Sequence, residues 1–169
     1  QNNSVMIWRT ANRQVVWHLN QNDEAHEVPV TDLVYRPNTT ELLTIADDGK
    51  LVRWDVETGE IIDIWEHDVA LTRLVVSPDG NQVYIGRTDG LIVTYNFTDQ
   101  ASQLIGLDSG NTPVHDGEIT ALALMPQRNR LITGDHNGRV AVWDVDSGDR
   151  LLAANFHEDT ITSITAHPN

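Results

Sequence analysis

Apolar positions along this chain recur in short alternating runs, each closed by a turn signal, which is the pattern of half-buried β-strands rather than of helices. Val30, Leu33 and Tyr35, with their copies Leu71, Leu74 and Val76, form a first strand that stops at Pro37 or Pro78, residues with no backbone donor to continue a ladder. Residues 42–45 and 131–133 predict a second strand, closed by Asp48-Gly49, Asp89-Gly90 and Asn137-Gly138. Those pairs predict two-residue hairpins in which both turn positions take positive φ. Residues 51–54, 91–95 and 140–143 predict a third strand, and the turns Glu57-Thr58-Gly59 and Asp146-Ser147-Gly148 lead into a fourth at 60–64 and 150–154.

The four-strand unit repeats. His26, His67, His115 and His157 are spaced 41, 48 and 42 residues apart, and each is followed after five positions by a threonine and after eleven by a proline: Thr31, Thr72, Thr120 and Thr162, then Pro37, Pro78, Pro126 and Pro168. A second marker, Trp8, Trp54, Tyr95 and Trp143, runs in step, with Gly49, Gly90 and Gly138 five positions before its last three members. Short antiparallel four-stranded units at this period predict an all-β fold, a β-propeller whose blades bury their faces on one another.

The segments HEVPVTDLVYRP and LLTIADDGKLVRWD carry a His, a first strand, a Thr in the second strand, an Asp in the turn and a Trp-Asp closing the third. In this the chain resembles the WD-repeat β-propeller family over essentially its whole length. The resemblance implies three complete four-stranded blades at 29–66, 70–107 and 118–156. It also implies partial blades at both ends: strands three and four in residues 1–20, and the first strand of a further blade in 157–169. It further implies a hydrogen-bonded set within each blade, because a buried imidazole needs partners on both nitrogens and a buried indole N–H needs an acceptor. The first blade carries that set as His26, Thr44, Asp48 and Trp54, and the third as His115, Thr133, Asn137 and Trp143, with Asn in the place of the carboxylate. The second has His67, Asp89 and Tyr95, but Ile85 stands where the hydroxyl belongs, so its relay is broken and Asp89 is left short of a partner. A base, a hydroxyl and a carboxylate also suggest a catalytic triad, but a catalytic set occurs once per site, whereas this one recurs at the blade period.

Charge narrows the choice of partner. With 25 Asp and Glu against 11 Lys and Arg, the formal charge of −14 disfavours a phosphate backbone, so nucleic acid is not an expected partner. No apolar run is long enough to span a bilayer, so a membrane is not expected either. The chain has no cysteine, which removes disulfides, thiolate metal sites and cysteine nucleophiles together. The Asp-rich stretch 144–149 lacks the closing Glu of a calcium loop, and no His pair has helical metal-ligand spacing, so no metal or cofactor is expected. The chain begins at Gln1 without a leader, which suggests trimming or a longer parent. Compartment stays open, with the cytoplasm slightly favoured.

The blade phase places the loops before strand one and between strands two and three on one face. That face collects Asp47, Glu66, Asp68, Asp116, Glu118, Asp135, Glu158 and Asp159, beside His136 and, as its only base, Arg87. Asp23 and Glu24 join the same list. The expected function is a non-catalytic scaffold that receives a protein partner or neighbouring domain on this face, where the acidic charge favours a basic one. Its ring would be completed by the rest of a longer chain or by self-association. The alternatives are the sensing or autoinhibitory propeller of a larger signalling protein and, less favoured, a hydrolase with a channel-mouth site at Asp32, Arg73, Asp116 and His136.

Overall fold

The computed structural model describes residues 4–20 and 25–166, so Asp23, Glu24 and Pro168 lie outside the described residues. Among the described residues the regular structure is fourteen β-strands and one 3₁₀ turn, Pro126–Arg128. The chain divides into two compact units, Gln1–Leu71 and Thr72–Asn169.

In the first unit β1 (Val5–Arg9) pairs with β2 (Gln14–Leu19), and β3 (Val30–Tyr35), β4 (Glu41–Ala46), β5 (Lys50–Asp55) and β6 (Ile61–Glu66) form a four-stranded antiparallel sheet in chain order. Its core is Leu19, Ala25, Leu42, Val52 and Trp54, packed between the hairpin and the sheet. Trp17 of β2 fastens the two, because its indole N–H donates to the Val56 carbonyl at 2.9 Å and its ring lies where a Cβ on Gly59 would stand, 2.7 Å away.

In the second unit β7 (Leu71–Val76, its first residue belonging to the first unit), β8 (Gln82–Arg87), β9 (Ile92–Asn96) and β10 (Ser102–Ile105) make one such sheet. β11 (Ile119–Met125), β12 (Arg130–Asp135), β13 (Arg139–Asp144) and β14 (Arg150–Asn155) make another. Tyr84, Ile92 and Ile105 from the first bury against Ile119, Leu131, Ala141 and Trp143 from the second. Burying a side chain of this size stabilises by roughly 1.5–3 kcal/mol, so this face-to-face contact holds the unit together. The desolvated Tyr84 hydroxyl donates to Gln82, and its pKa is pushed up to about 12.

The turns between strands two and three differ from the expected two-residue hairpins. β4 ends at Ala46 and β5 starts at Lys50, and only the glycine takes positive φ: +78° at Gly49, +80° at Gly90 and +81° at Gly138. This is a three-residue loop, a type I turn followed by a left-handed residue, which needs one positive φ rather than two. Space enforces the choice as much as torsion does. A Cβ on Gly49 would sit 2.3 Å from the carbonyl oxygen of His67, one on Gly90 2.3 Å from that of His115, and one on Gly138 2.1 Å from that of His157. Each turn glycine is therefore the seat for the histidine of the next repeat.

The periodic threonines make a second link between repeats. Thr31 and Thr120 are the extra residues at bulges in β3 and β11, and their hydroxyls donate to Leu71 O at 2.9 Å and Ile161 O at 2.7 Å. Thr72 donates likewise to Ile119 O at 2.6 Å. Opposite these bonds, Gly86 and Gly134 lie against Ile119 and Ile161, with no room for a side chain.

Gly49→Ala and Gly138→Ala are each expected to lower stability by about 1–3 kcal/mol, since both torsion and contact must yield. Gly117→Ala, whose Cβ would meet only the Asn137 amide nitrogen at 3.4 Å, should change it by no more than about 1 kcal/mol. Urea melts of the three variants provide the comparison.

Candidate functional site

The first sheet holds its histidine by three side chains from three places in the repeat. His26 is fully buried ahead of β3, with its Nε2 2.8 Å from the Thr44 hydroxyl of β4 and its Nδ1 3.3 Å from the Asp48 carboxylate in the following turn. Trp54 of β5 donates its indole N–H to the same hydroxyl at 2.9 Å. A hydroxyl has one proton, so Thr44 accepts from Trp54 and donates to Nε2, which leaves the imidazole proton on Nδ1, facing Asp48. Asp48 also accepts the backbone N–H groups of Glu27 and Lys50, which fixes the turn.

The third repeat reaches the same geometry by a different residue, and this corrects the assignment of Asn137. His115 Nε2 meets the Thr133 hydroxyl at 2.6 Å, Trp143 donates to that hydroxyl at 2.9 Å, and Nδ1 meets Asp135, not Asn137, at 2.8 Å. Asp135 and Thr133 are two apart on β12, so both side chains leave the same face of the strand. Asn137 offers its backbone N–H to Asp135 and leaves its amide exposed in the turn. The carboxylate of Asp135 is fully buried and accepts from Arg139 N as well, so this blade is bound by a full carboxylate set. Asp135 is thereby withdrawn from the partner-facing residues.

Arg87 is withdrawn for a related reason. It occupies on β8 the slot of Asp135, two residues after Ile85, and is only 8% exposed. Its Nε and Nη2 contact both carboxylate oxygens of Asp89 at 3.1 and 2.7 Å, so Asp89 has a partner although the hydroxyl of this repeat is missing. Tyr95, in the place of the indole, is buried on β9 and stacks edge-on to Phe97. His67 lies between β6 and β7, its backbone N–H bonded to Gly49 O at 2.9 Å. Trp8 is 54% exposed, in contrast to Trp54 and Trp143, because β1 has no second strand beside it among the described residues to supply a hydroxyl.

The remaining acids stay at the surface. In the first unit Glu27, Asp47, Glu66 and Asp68 are exposed at one end of the sheet, and Lys50 reaches Glu27 at 3.4 Å. In the second unit Asp116, Glu118, Glu158 and Asp159 are exposed with His136, which shares a contact with the Thr160 hydroxyl at 3.3 Å. The carbonyls of His157 and Asp159 crowd Gly138, and Gly117 lies beside Asn137, so the loops before β11 and after β14 converge on one turn. Arg139 stands 3.8 Å from Asp116. The bases among these acids are thus Lys50 and Arg139, the first residues of β5 and β13, and not Arg87. Both lie one residue past the turns that the blade phase assigns to this face.

Of the channel-mouth set, Asp116 and His136 contact Arg139 and Thr160 rather than each other, and Arg73 donates to Thr72 O. Among the described residues no group of three or more His, Asp or Glu could hold a metal ion, and no helix is long and apolar enough to cross a membrane. Residues 144–149 are a turn in which Asp144 accepts the N–H groups of Asp146 and Ser147.

Burial holds both set histidines below their ordinary pKa of 6.5, with desolvation outweighing the adjacent carboxylates. The unfolded chain therefore binds protons on these residues first, and stability falls as pH drops below about 6.5. Thermal melts should be level above about pH 7 and decline toward pH 5, well above the range in which carboxylates titrate; a level profile down to pH 5 would contradict neutral buried imidazoles. Asp135→Ala, which strips a buried partner from His115, is expected to cost about 3 kcal/mol. Asn137→Ala should stay within about 0.5 kcal/mol of the parent, as for an exposed position, and denaturant titration distinguishes the two.

Comparison with known proteins now adds to this geometry. Residues 71–166 match the family model described as the Vps8 beta-propeller, and residues 1–75 match the anaphase-promoting complex subunit 4 WD40 domain. The chain is 28% identical over 165 residues to eukaryotic translation initiation factor 3 subunit I of Aspergillus terreus, covering 91% of this chain and 47% of that protein. It is 26% identical over 136 residues to the target of rapamycin complex subunit wat1 of Schizosaccharomyces pombe, covering 78% and 43%. The chain thus spans about half the length, or less, of these curated relatives. The solved structure of the RRP9 WD40 repeats superposes with a TM-score of 0.74 at 21% identity, covering 85% of this chain and 43% of that one, a likeness of fold.

Proposed function

Since the chain belongs to the WD-repeat β-propeller family, we propose that it is a protein-interaction scaffold without catalysis of its own. In this reading it is one segment of a larger propeller, and its acidic loop ends receive a basic segment of a protein partner. The observation that carries this reading is how the reactive residue types are used. The hydroxyls and carboxylates that meet the buried imidazoles are committed inside the sheets, with Thr44 and Thr133 each also bonded to a tryptophan. What the second unit offers to solvent at that end is acidic: Asp116, Glu118, Glu158 and Asp159 around the 136–138 turn. Clustered carboxylates attract a cationic segment through a field that salt screens. The relatives named for initiation factor 3 and the target of rapamycin complex are subunits of assemblies by their names, which supports a protein partner.

Membership of a larger ring is supported by the segment 161–166. Ile161 N–H donates to Asp135 O at 3.0 Å and Ile161 O accepts from Thr120, the bond that Thr72 makes to Ile119 at the start of β11. In this reading residues 161–166 are strand one of a further blade, whose remaining strands come from outside the chain.

The triple variant Glu118→Lys, Glu158→Lys, Asp159→Lys should weaken capture of a labelled oligolysine peptide at least tenfold. Parent binding should itself fall steeply between about 50 and 500 mM salt, as the screening length shortens. Reversing Asp99, Asp146 and Asp149, at the opposite end of the same unit, serves as the control. An equal loss in that control would reduce the effect to net charge and defeat the assignment.

A further inference from the structure

The outer edge of β14 differs from the other outer edges. Strand four stands at one edge of its sheet, paired on one side only. An unpaired edge invites another strand unless it is short, charged or covered. β6 carries Asp63 at its middle and Glu66 at its end, with Asp63 bonded to Arg53. β10 is four residues long and runs into Gly106 and the bridge between Leu107 and Pro113, which turns the chain back on itself. β2 is uncharged, but its Val15, Val16 and Trp17 are partly buried. From Leu151 to Phe156 the sequence LLAANF has neither charge nor Pro nor Gly, with Leu151 and Leu152 each 50% exposed and Phe156 60% exposed. Leu151 and Leu152, as successive residues of a strand, project to opposite faces, so covering either face of the sheet leaves the edge itself open.

We infer that this edge pairs antiparallel with the same strand of a second copy of the chain. This goes beyond the scaffold reading and uses neither its loops nor its partner. The charge along the edge selects the occupant. Arg150 is the only charge on β14, so a two-fold axis through Ala153 keeps the two Arg150 side chains at opposite ends of the paired edges. A parallel arrangement would align like ends. The pairing joins the five uncharged strand residues 151–155 of each copy, where β6 would set Asp63 into a like-charged neighbour.

Each copy carries a formal charge of −14, so screening should strengthen this association, opposite to the effect of salt on capture of a basic segment. The failure of one reading is thus distinguishable from failure of the other. The test is sedimentation of the full chain at about 10–100 μM in low and high salt. The parent should shift toward 37.8 kDa, twice the 18.9 kDa chain, as salt rises. Leu152→Lys and, on the opposite face, Leu151→Lys should each remain monomeric, with circular dichroism and tryptophan fluorescence confirming the fold. Ile64→Lys, an exposed position on β6, should dimerise like the parent. A parent that stays monomeric at high salt overturns the inference, and so does a dimer that persists in both β14 variants.

Discussion

A buried imidazole has two nitrogens of unlike character, and the sheets of this protein are arranged to satisfy both. One nitrogen must be offered a proton and the other must give one up, so a hydroxyl and a carboxylate have to arrive from opposite sides. The hydroxyl must come from the adjacent strand and can still accept once more, which is why an indole N–H from the next strand completes the group in both intact sets. Three strands and a turn are thereby tied to one side chain. Where Ile85 removes the hydroxyl, the carboxylate does not go unpaired, because a guanidinium two residues farther along the strand takes it up in bidentate fashion.

The register between repeats is set by contacts to the backbone rather than by side-chain pairs. The carbonyl of one repeat's histidine lies on the turn glycine of the repeat before it, and each periodic threonine reaches a backbone carbonyl in the repeat after it. Histidine, threonine and glycine therefore recur in register not as independent ornaments of a repeat but because each fixes the position of the next. The apolar cores described above add energy to that register without choosing it, since many pairs of apolar faces would pack about as well.

The periodic residues made the strands, their order, the first set and the histidine, threonine and tryptophan of the third legible in sequence. Alignment to the turn glycine is what hid Asp135: counting back from Gly138 lands on Asn137, whereas the alternation of side chains along β12 puts residue 135 on the same face as Thr133. The same alternation, applied from Ile85, would have placed Arg87 inside. Lys50 and Arg139 escaped because a charge at the first position of a strand belongs to the loop cluster in space though not in sequence. The turn conformation was misread for a subtler reason. Asp-Gly and Asn-Gly serve both a hairpin with two left-handed residues and one with a single left-handed residue, and the choice depends on what the aspartate must reach and on the carbonyl waiting above the glycine.

Moving the carboxylate from the turn to the strand in the third repeat takes two duties off the loop tip together, since Asp135 holds the histidine and accepts the backbone N–H groups of Asn137 and Arg139. In the first repeat the turn aspartate both shapes the loop and holds the histidine, so the loop tip cannot change without loosening the sheet. With Asp135 on the strand, the tip residues His136 and Asn137 are exposed and released from holding the histidine. That loop tip can vary in sequence while the sheet beneath it keeps its fold.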